Sequence, residues 1–226
     1  MDDGGNGGSV PGRGSRGWRA VELTLLFVGV PILYAAGWIR IPLLLLLAVA
    51  AVGCGWKLAA DGCLKRGDWL RWRAPRREWV HMLLRFAVAT PMLIAVVWCL
   101  QPQALFSLPR ERPKIWLLVM LIYPLVSVYP QEIVFRAFFF CRYRLLFGEG
   151  AGLIIASTVA FAFAHITFHN WVAVALTLPG GVLFARSYQR TNALLFVACE
   201  HALYGGLVFT VGLGRYLLEG TLRLAQ

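Results

Sequence analysis

The chain has 226 residues, 59% of them hydrophobic and only 15% charged, whereas soluble domains average roughly 45–50% apolar and about 25% charged residues. This excludes a water-soluble globular protein, and the length leaves no room for a large soluble domain beside a membrane bundle. The formal charge of +11 does not indicate nucleic acid as a partner. The cations cluster at the ends of apolar segments, where the positive-inside rule and anionic head groups account for them.

Residues 1–17 are Gly-rich and nearly free of apolar side chains, which predicts a disordered tail. They contain no apolar core of a signal peptide. A first span is predicted over residues 21–39 and a second over 41–60, separated at Arg40 and Pro42. The basic loop 62–77 interleaves Trp69 and Trp72 with arginines and reads as a juxtamembrane segment at head-group level. A third span covers 79–100, with Arg85 near its end and able to snorkel. Residues 101–114, polar and with three prolines, read as a loop.

Residues 115–147 would span about 50 Å as one helix. Pro124 and Pro130 interrupt them, so a kinked or broken helix is expected. Spans follow over 151–168, over 171–188 (weakened by Pro179, Gly180 and Gly181) and over 193–213, before a short tail, 214–226. The fold class is all-α, a polytopic transmembrane bundle of about seven to eight spans. It divides into a three-span segment, 18–100, and a core, 115–213. If 115–147 crosses once, the basic groups at 13–19, 62–77, 142–144 and 186–190 share one side. The reading is therefore an integral protein of a bacterial plasma membrane with a cytoplasmic N-terminus. The five cysteines are scattered and odd in number, and Cys behaves as a small hydrophobe in apolar runs, so no disulfide and no cysteine-bound metal are expected.

Three polar constellations sit where apolar residues would cost less. Gln131-Glu132-Ile133-Val134-Phe135-Arg136 puts Glu132 and Arg136 four apart, on one helix face, where they can pair. Phe161-Ala162-Phe163-Ala164-His165 carries a histidine among small residues that allow close helix approach. Glu200-His201-Ala202-Leu203-Tyr204-Gly205-Gly206 puts two ionisable groups inside an apolar span. Each alone could be a structural pair or a hydrogen-bonded bundle residue. Counted from the cytoplasmic ends, however, Glu132, His165 and His201 lie at depths of roughly 22, 22 and 15 Å. A carboxylate and two imidazoles in one cavity form an acid/base set able to activate water.

The order Glu132-x-x-x-Arg136, Phe161-x-x-x-His165 and then His201 resembles the CAAX-protease and bacteriocin-processing (CPBP, Abi) family of intramembrane endopeptidases. The resemblance covers roughly residues 115–213. It implies a glutamate, helped by a histidine, that activates water against a peptide bond, and a second histidine that stabilises the oxyanion. Carried over, Glu132 is the base, His165 its partner, His201 the oxyanion donor and Arg136 the group orienting Glu132. Phe161, Glu200 and Tyr204 support the site. The expected partners are the lipid bilayer and a membrane-associated peptide or protein.

Two positions depart from the family pattern. Gln131 stands where the first of two glutamates is usual, and Gly205 where an Asn is usual; Tyr204, Asn192 or a backbone N–H could replace that Asn. A non-catalytic scaffold or immunity-type protein therefore remains an alternative, as does a proton-coupled transporter using Glu132, Glu200 and the histidines. No cofactor is expected. Zinc is disfavoured because the His165-to-His169 segment lacks the glutamate of H-E-x-x-H enzymes and Arg136 competes for Glu132.

Overall fold

The computed structural model describes residues 16–217, and among them all regular secondary structure is helical. Six helices are long and apolar enough to cross a membrane: α1 (Arg16–Ala35), α2 (Leu43–Ala60), α3 (Arg76–Leu100), α4 (Pro113–Phe147), α5 (Ala151–Phe168) and α6 (Trp171–Thr191). A shorter apolar helix, α7 (Leu194–Thr210), completes seven. Large apolar side chains such as Leu45, Val52, Val88, Leu118 and Leu125 stand exposed on α2, α3 and α4, as a lipid-facing surface requires. The protein is integral to a membrane. Of the predicted tail 1–17, only Arg16 and Gly17 are described, and they open α1 instead of preceding it. Of the predicted tail 214–226, residues 214–217 are described, and 215–217 are helical.

Residues 113–147 form one continuous helix, so the expected break is absent, and the apolar helices number seven among the described residues. Two π-helical stretches, Pro124–Val128 and Ile133–Phe138, flank the α-turn Tyr129–Glu132. Pro124 and Pro130 have no N–H to give the i−4 carbonyl, and widening the ladder into π turns accommodates that loss without a break. Pro179 likewise lies inside α6 without ending it. The 101–114 connection is more ordered than a loop, with a 3₁₀ turn at Pro102–Ala104 and a helical turn at Ser107–Glu111.

The core is aromatic. Phe27 of α1 stands edge-on to Phe135, Phe139 and Tyr143 of α4, with centroids 5.6, 5.1 and 5.8 Å apart. Beside this cluster Arg142 grips Glu22 bidentately at 2.8 and 2.7 Å, and Tyr143 donates to the same carboxylate. Arg19 donates to the Arg142 carbonyl and Arg16 to the Leu145 carbonyl. These N-terminal arginines thus cap the end of α4, where carbonyls lack helical partners and positive charge is favoured.

Two sequence expectations need correction. A disulfide joins Cys63, just after α2, to Cys141 of α4. A separation of 78 residues leaves no local signal of such a pairing. Arg85 does not snorkel but turns inward to Glu200 at 2.9 Å. The two tryptophans of the basic loop part company. Trp72 is exposed, while Trp69 packs against Gly55 of α2, and its carbonyl accepts from the Tyr129 hydroxyl of α4 at 2.8 Å. One side of the loop therefore packs on the bundle.

Candidate active site

Helix α4 brings Glu132 and Arg136 to the centre of the bundle, and both are wholly buried. Arg136 Nε lies 3.4 Å from Glu132 Oε2, the i,i+4 pairing expected of their spacing. Arg136 Nη1 also donates to Ser157 Oγ of α5 at 2.9 Å and to the Phe135 carbonyl at 3.1 Å. The Ser157 hydroxyl itself donates to that carbonyl at 2.7 Å. The guanidinium lies 4.9 Å from the centre of the Phe161 ring, a cation–π contact that offsets part of its desolvation. Removing one partner of such a buried pair costs about 3–5 kcal/mol, and the bond from Arg136 to Ser157 ties α4 to α5.

Helix α7 supplies the imidazole. His201 Nδ1 donates to Glu132 Oε1 at 2.7 Å. The ring stacks on Phe184 of α6 at 4.4 Å and meets the edge of Phe161 at 5.6 Å. With the proton on Nδ1, Nε2 carries a lone pair. Its neighbour is the Tyr123 hydroxyl of α4, 3.4 Å away.

His165 ends the α-helical part of α5, where the chain tightens to a 3₁₀ turn, His165–Phe168. Its Nδ1 donates to the Phe161 carbonyl at 2.7 Å, which leaves Nε2 as an acceptor. The Phe161 ring lies between the two histidines, 4.8 Å from His165 and 5.6 Å from His201. Among the described residues no hydrogen bond joins His165 to Glu132 or His201. His169 is exposed at the helix end with φ 57°, so it does not share a helix face with His165. No group of three or more His, Cys, Asp or Glu among the described residues could hold a metal ion.

A cavity of about 730 Å³ opens beside these groups, between α1, α2 and α4. Its wall is largely apolar, and its polar members include Gln131, His165, Tyr123 and Ser127. Gln131 Nε2 donates to Ser127 Oγ at 2.8 Å and to the Ser127 carbonyl at 3.1 Å. Glu132 and His201 do not line this cavity, but Tyr123 does, and its hydroxyl lies 3.4 Å from His201 Nε2.

The remaining expected residues lie elsewhere. Glu200 is next to His201 but about 100° further round the helix, and faces α3, where Arg85 meets it. The Tyr204 hydroxyl is buried without a hydrogen-bond partner, its ring edge-on to Phe86 at 5.5 Å. Asn192 caps α6 in a left-handed conformation. Neither the Tyr204 hydroxyl nor the Asn192 side chain has a hydrogen bond to Glu132, His165 or His201. Tyr123, Ser157 and Phe184 went unforeseen, because aromatic and hydroxyl residues in apolar helices carry no sequence signal that separates site from core.

Residues 113–207 match the family model described as type II CAAX prenyl endopeptidase Rce1-like. This bears out the resemblance to the CPBP family over that segment. Comparison with curated proteins and with solved structures gave no match.

Proposed function

We propose that this chain, a membrane-embedded protein of the CAAX-endopeptidase type over residues 113–207, hydrolyses a peptide bond of a membrane-associated substrate with Glu132 and His201 as its acid/base unit. The observation that carries this reading is the 2.7 Å contact between a wholly buried carboxylate and an imidazole beside a largely apolar cavity. A cavity of this volume is in the range of small-molecule and cofactor sites, large enough for an extended segment entering from the lipid.

Glu132 accepts a hydrogen bond from the Nδ1–H of His201, so the imidazole presents an unprotonated Nε2. That nitrogen takes a proton from water as the water oxygen attacks the scissile carbonyl carbon. Glu132 stabilises the imidazolium that forms, and Nε2 then delivers the proton to the leaving nitrogen. Arg136, held by Ser157, fixes the carboxylate. His165 faces the cavity with an acceptor nitrogen and orients the attacking water. The roles of the two histidines are thus exchanged relative to the family-based expectation, because Glu132 is bonded to His201 and not to His165. The reading invokes no metal, since no cluster of ligands stands behind the cavity among the described residues.

The test compares membrane-protein termini by mass spectrometry in cells making the wild type or Glu132→Gln. New termini are expected with the wild type and should fall by about 10²–10⁴-fold in the variant, the usual range for losing an acid/base group. Identical terminus profiles in a well-expressed pair would overturn the reading.

One observation favours a second reading. The residue on the cavity wall is Gln131, which cannot take a proton, while Glu132 is 0% exposed. A non-catalytic receptor for a membrane-associated segment would keep this cavity and the buried pair as a structural strut.

A further inference from the structure

Gly205 has an unusual neighbour. A Cβ built there would overlap the Tyr123 hydroxyl and lie 2.5 Å from Tyr123 Cε1 and 2.8 Å from Cζ. The phenol occupies the volume that a side chain at position 205 would take. One residue on, the absent Cβ of Gly206 makes room for Met120 Sδ, 3.2 Å away. The glycine pair of α7 is therefore where α4 enters the space beside His201.

The ring so admitted joins the cavity to the buried pair. Tyr123 lines the cavity, its ring is edge-on to Phe209 at 5.2 Å, and its hydroxyl is 3.4 Å from His201 Nε2. Unlike the Tyr204 hydroxyl, it has a partner and an open side. At 3.4 Å the contact is long for an O–H donor, whose bonds cluster near 2.7–2.8 Å. The hydroxyl is therefore only loosely held by the imidazole.

We propose that Tyr123 is a catalytic residue, the hydrogen-bond donor to the oxyanion, and that Gly205 exists to seat it. This rests on the endopeptidase reading above. While Nε2 carries its lone pair, the Tyr123 O–H leans toward it. When Nε2 takes the proton of the attacking water it can no longer accept, and the O–H is released toward the cavity. At that moment the carbonyl π pair moves onto oxygen, and the hydroxyl donates to it. Tyr123 keeps its own proton throughout. On collapse the C–N bond breaks, the carbonyl reforms, and Nε2 passes its proton to the leaving nitrogen. Donor and base are thus coupled through a single nitrogen, so the oxyanion gains its partner in the step that creates it.

The experiment follows the rate at which wild-type-specific membrane-protein termini appear, for the wild type, Glu132→Gln, Tyr123→Phe, Tyr123→Ala and Tyr123→Ala/Gly205→Asn. Thermal unfolding of each protein in detergent is measured alongside. Tyr123→Phe keeps the ring and the packing, and is expected to unfold like the wild type while cleavage falls about 10²–10³-fold, the loss typical of one oxyanion donor. The double variant returns an N–H donor to the same volume from the other helix. It should cleave at least about tenfold faster than Tyr123→Ala, a rescue that a merely structural tyrosine would not show. Tyr123→Phe cleaving like the wild type while Glu132→Gln does not would overturn the assignment and leave the endopeptidase reading standing. Wild type and Glu132→Gln giving the same termini would refute both.

Discussion

Arg85 on α3 reaches Glu200 on α7 at 2.9 Å, and the same guanidinium lies 3.4 Å from Ser187 on α6. Three helices converge on one ion pair adjacent in sequence to His201. Glu200 is wholly buried, while the arginine remains partly exposed. Glu200→Ala should leave the guanidinium unpaired and cost a few kcal/mol, since half a buried pair is worse than none. Replacing both, as Arg85→Met/Glu200→Leu, should recover most of that stability. Thermal unfolding in detergent reads the comparison, and a double variant no better than the single one would show that the pair does not tie the helices.

Gln131 offers a direct discrimination between the two functional readings. Its amide donates to Ser127 Oγ and to the Ser127 carbonyl. Gln131→Glu loses both donated bonds, and the serine hydroxyl can turn to donate to the new carboxylate while the carbonyl loses its partner, so a cost of about 1 kcal/mol is expected. If Glu132–His201 is the working pair, cleavage stays within a few-fold of wild type. Cleavage that appears only in Gln131→Glu would mean that the wild type lacks a cavity base and is non-catalytic.

Orientation is a third expectation. The charge bias puts the N-terminus and the 62–77 loop in the cytoplasm. We expect a cysteine introduced at Gly67 to react with an impermeant reagent only after permeabilisation. Labelling of position 67 in intact cells would reverse the topology.

The last expectation is independence from metal. Hydrolysis assigned to a Glu–His pair should survive chelation, so wild-type-specific termini should form at an unchanged rate after dialysis against EDTA and 1,10-phenanthroline. Loss of cleavage restored by stoichiometric zinc would replace the acid/base scheme by a metal-activated water.

Much of this architecture was legible in the chain itself. Apolar runs of membrane length and the Lys/Arg clusters at their ends suffice to place the long apolar helices, because a bilayer admits only segments that satisfy their own backbone. The i,i+4 relation of Glu132 and Arg136 is local geometry and could be read directly. Which imidazole takes the Glu132 carboxylate could not. His165 and His201 are both histidines in apolar helices, and only the packing of α7 against α4 decides that His201 makes the contact. The side of α4 that meets the cavity was equally hidden. Two π turns rotate the helix face by amounts no periodicity predicts, and they leave Gln131 at the wall and Glu132 behind it. The inward turn of Arg85, the Cys63–Cys141 bond and the seat of Tyr123 over Gly205 each join residues at least 78 positions apart. Such contacts are set by how helices dock, and docking is a property of complementary surfaces that a one-dimensional pattern does not contain.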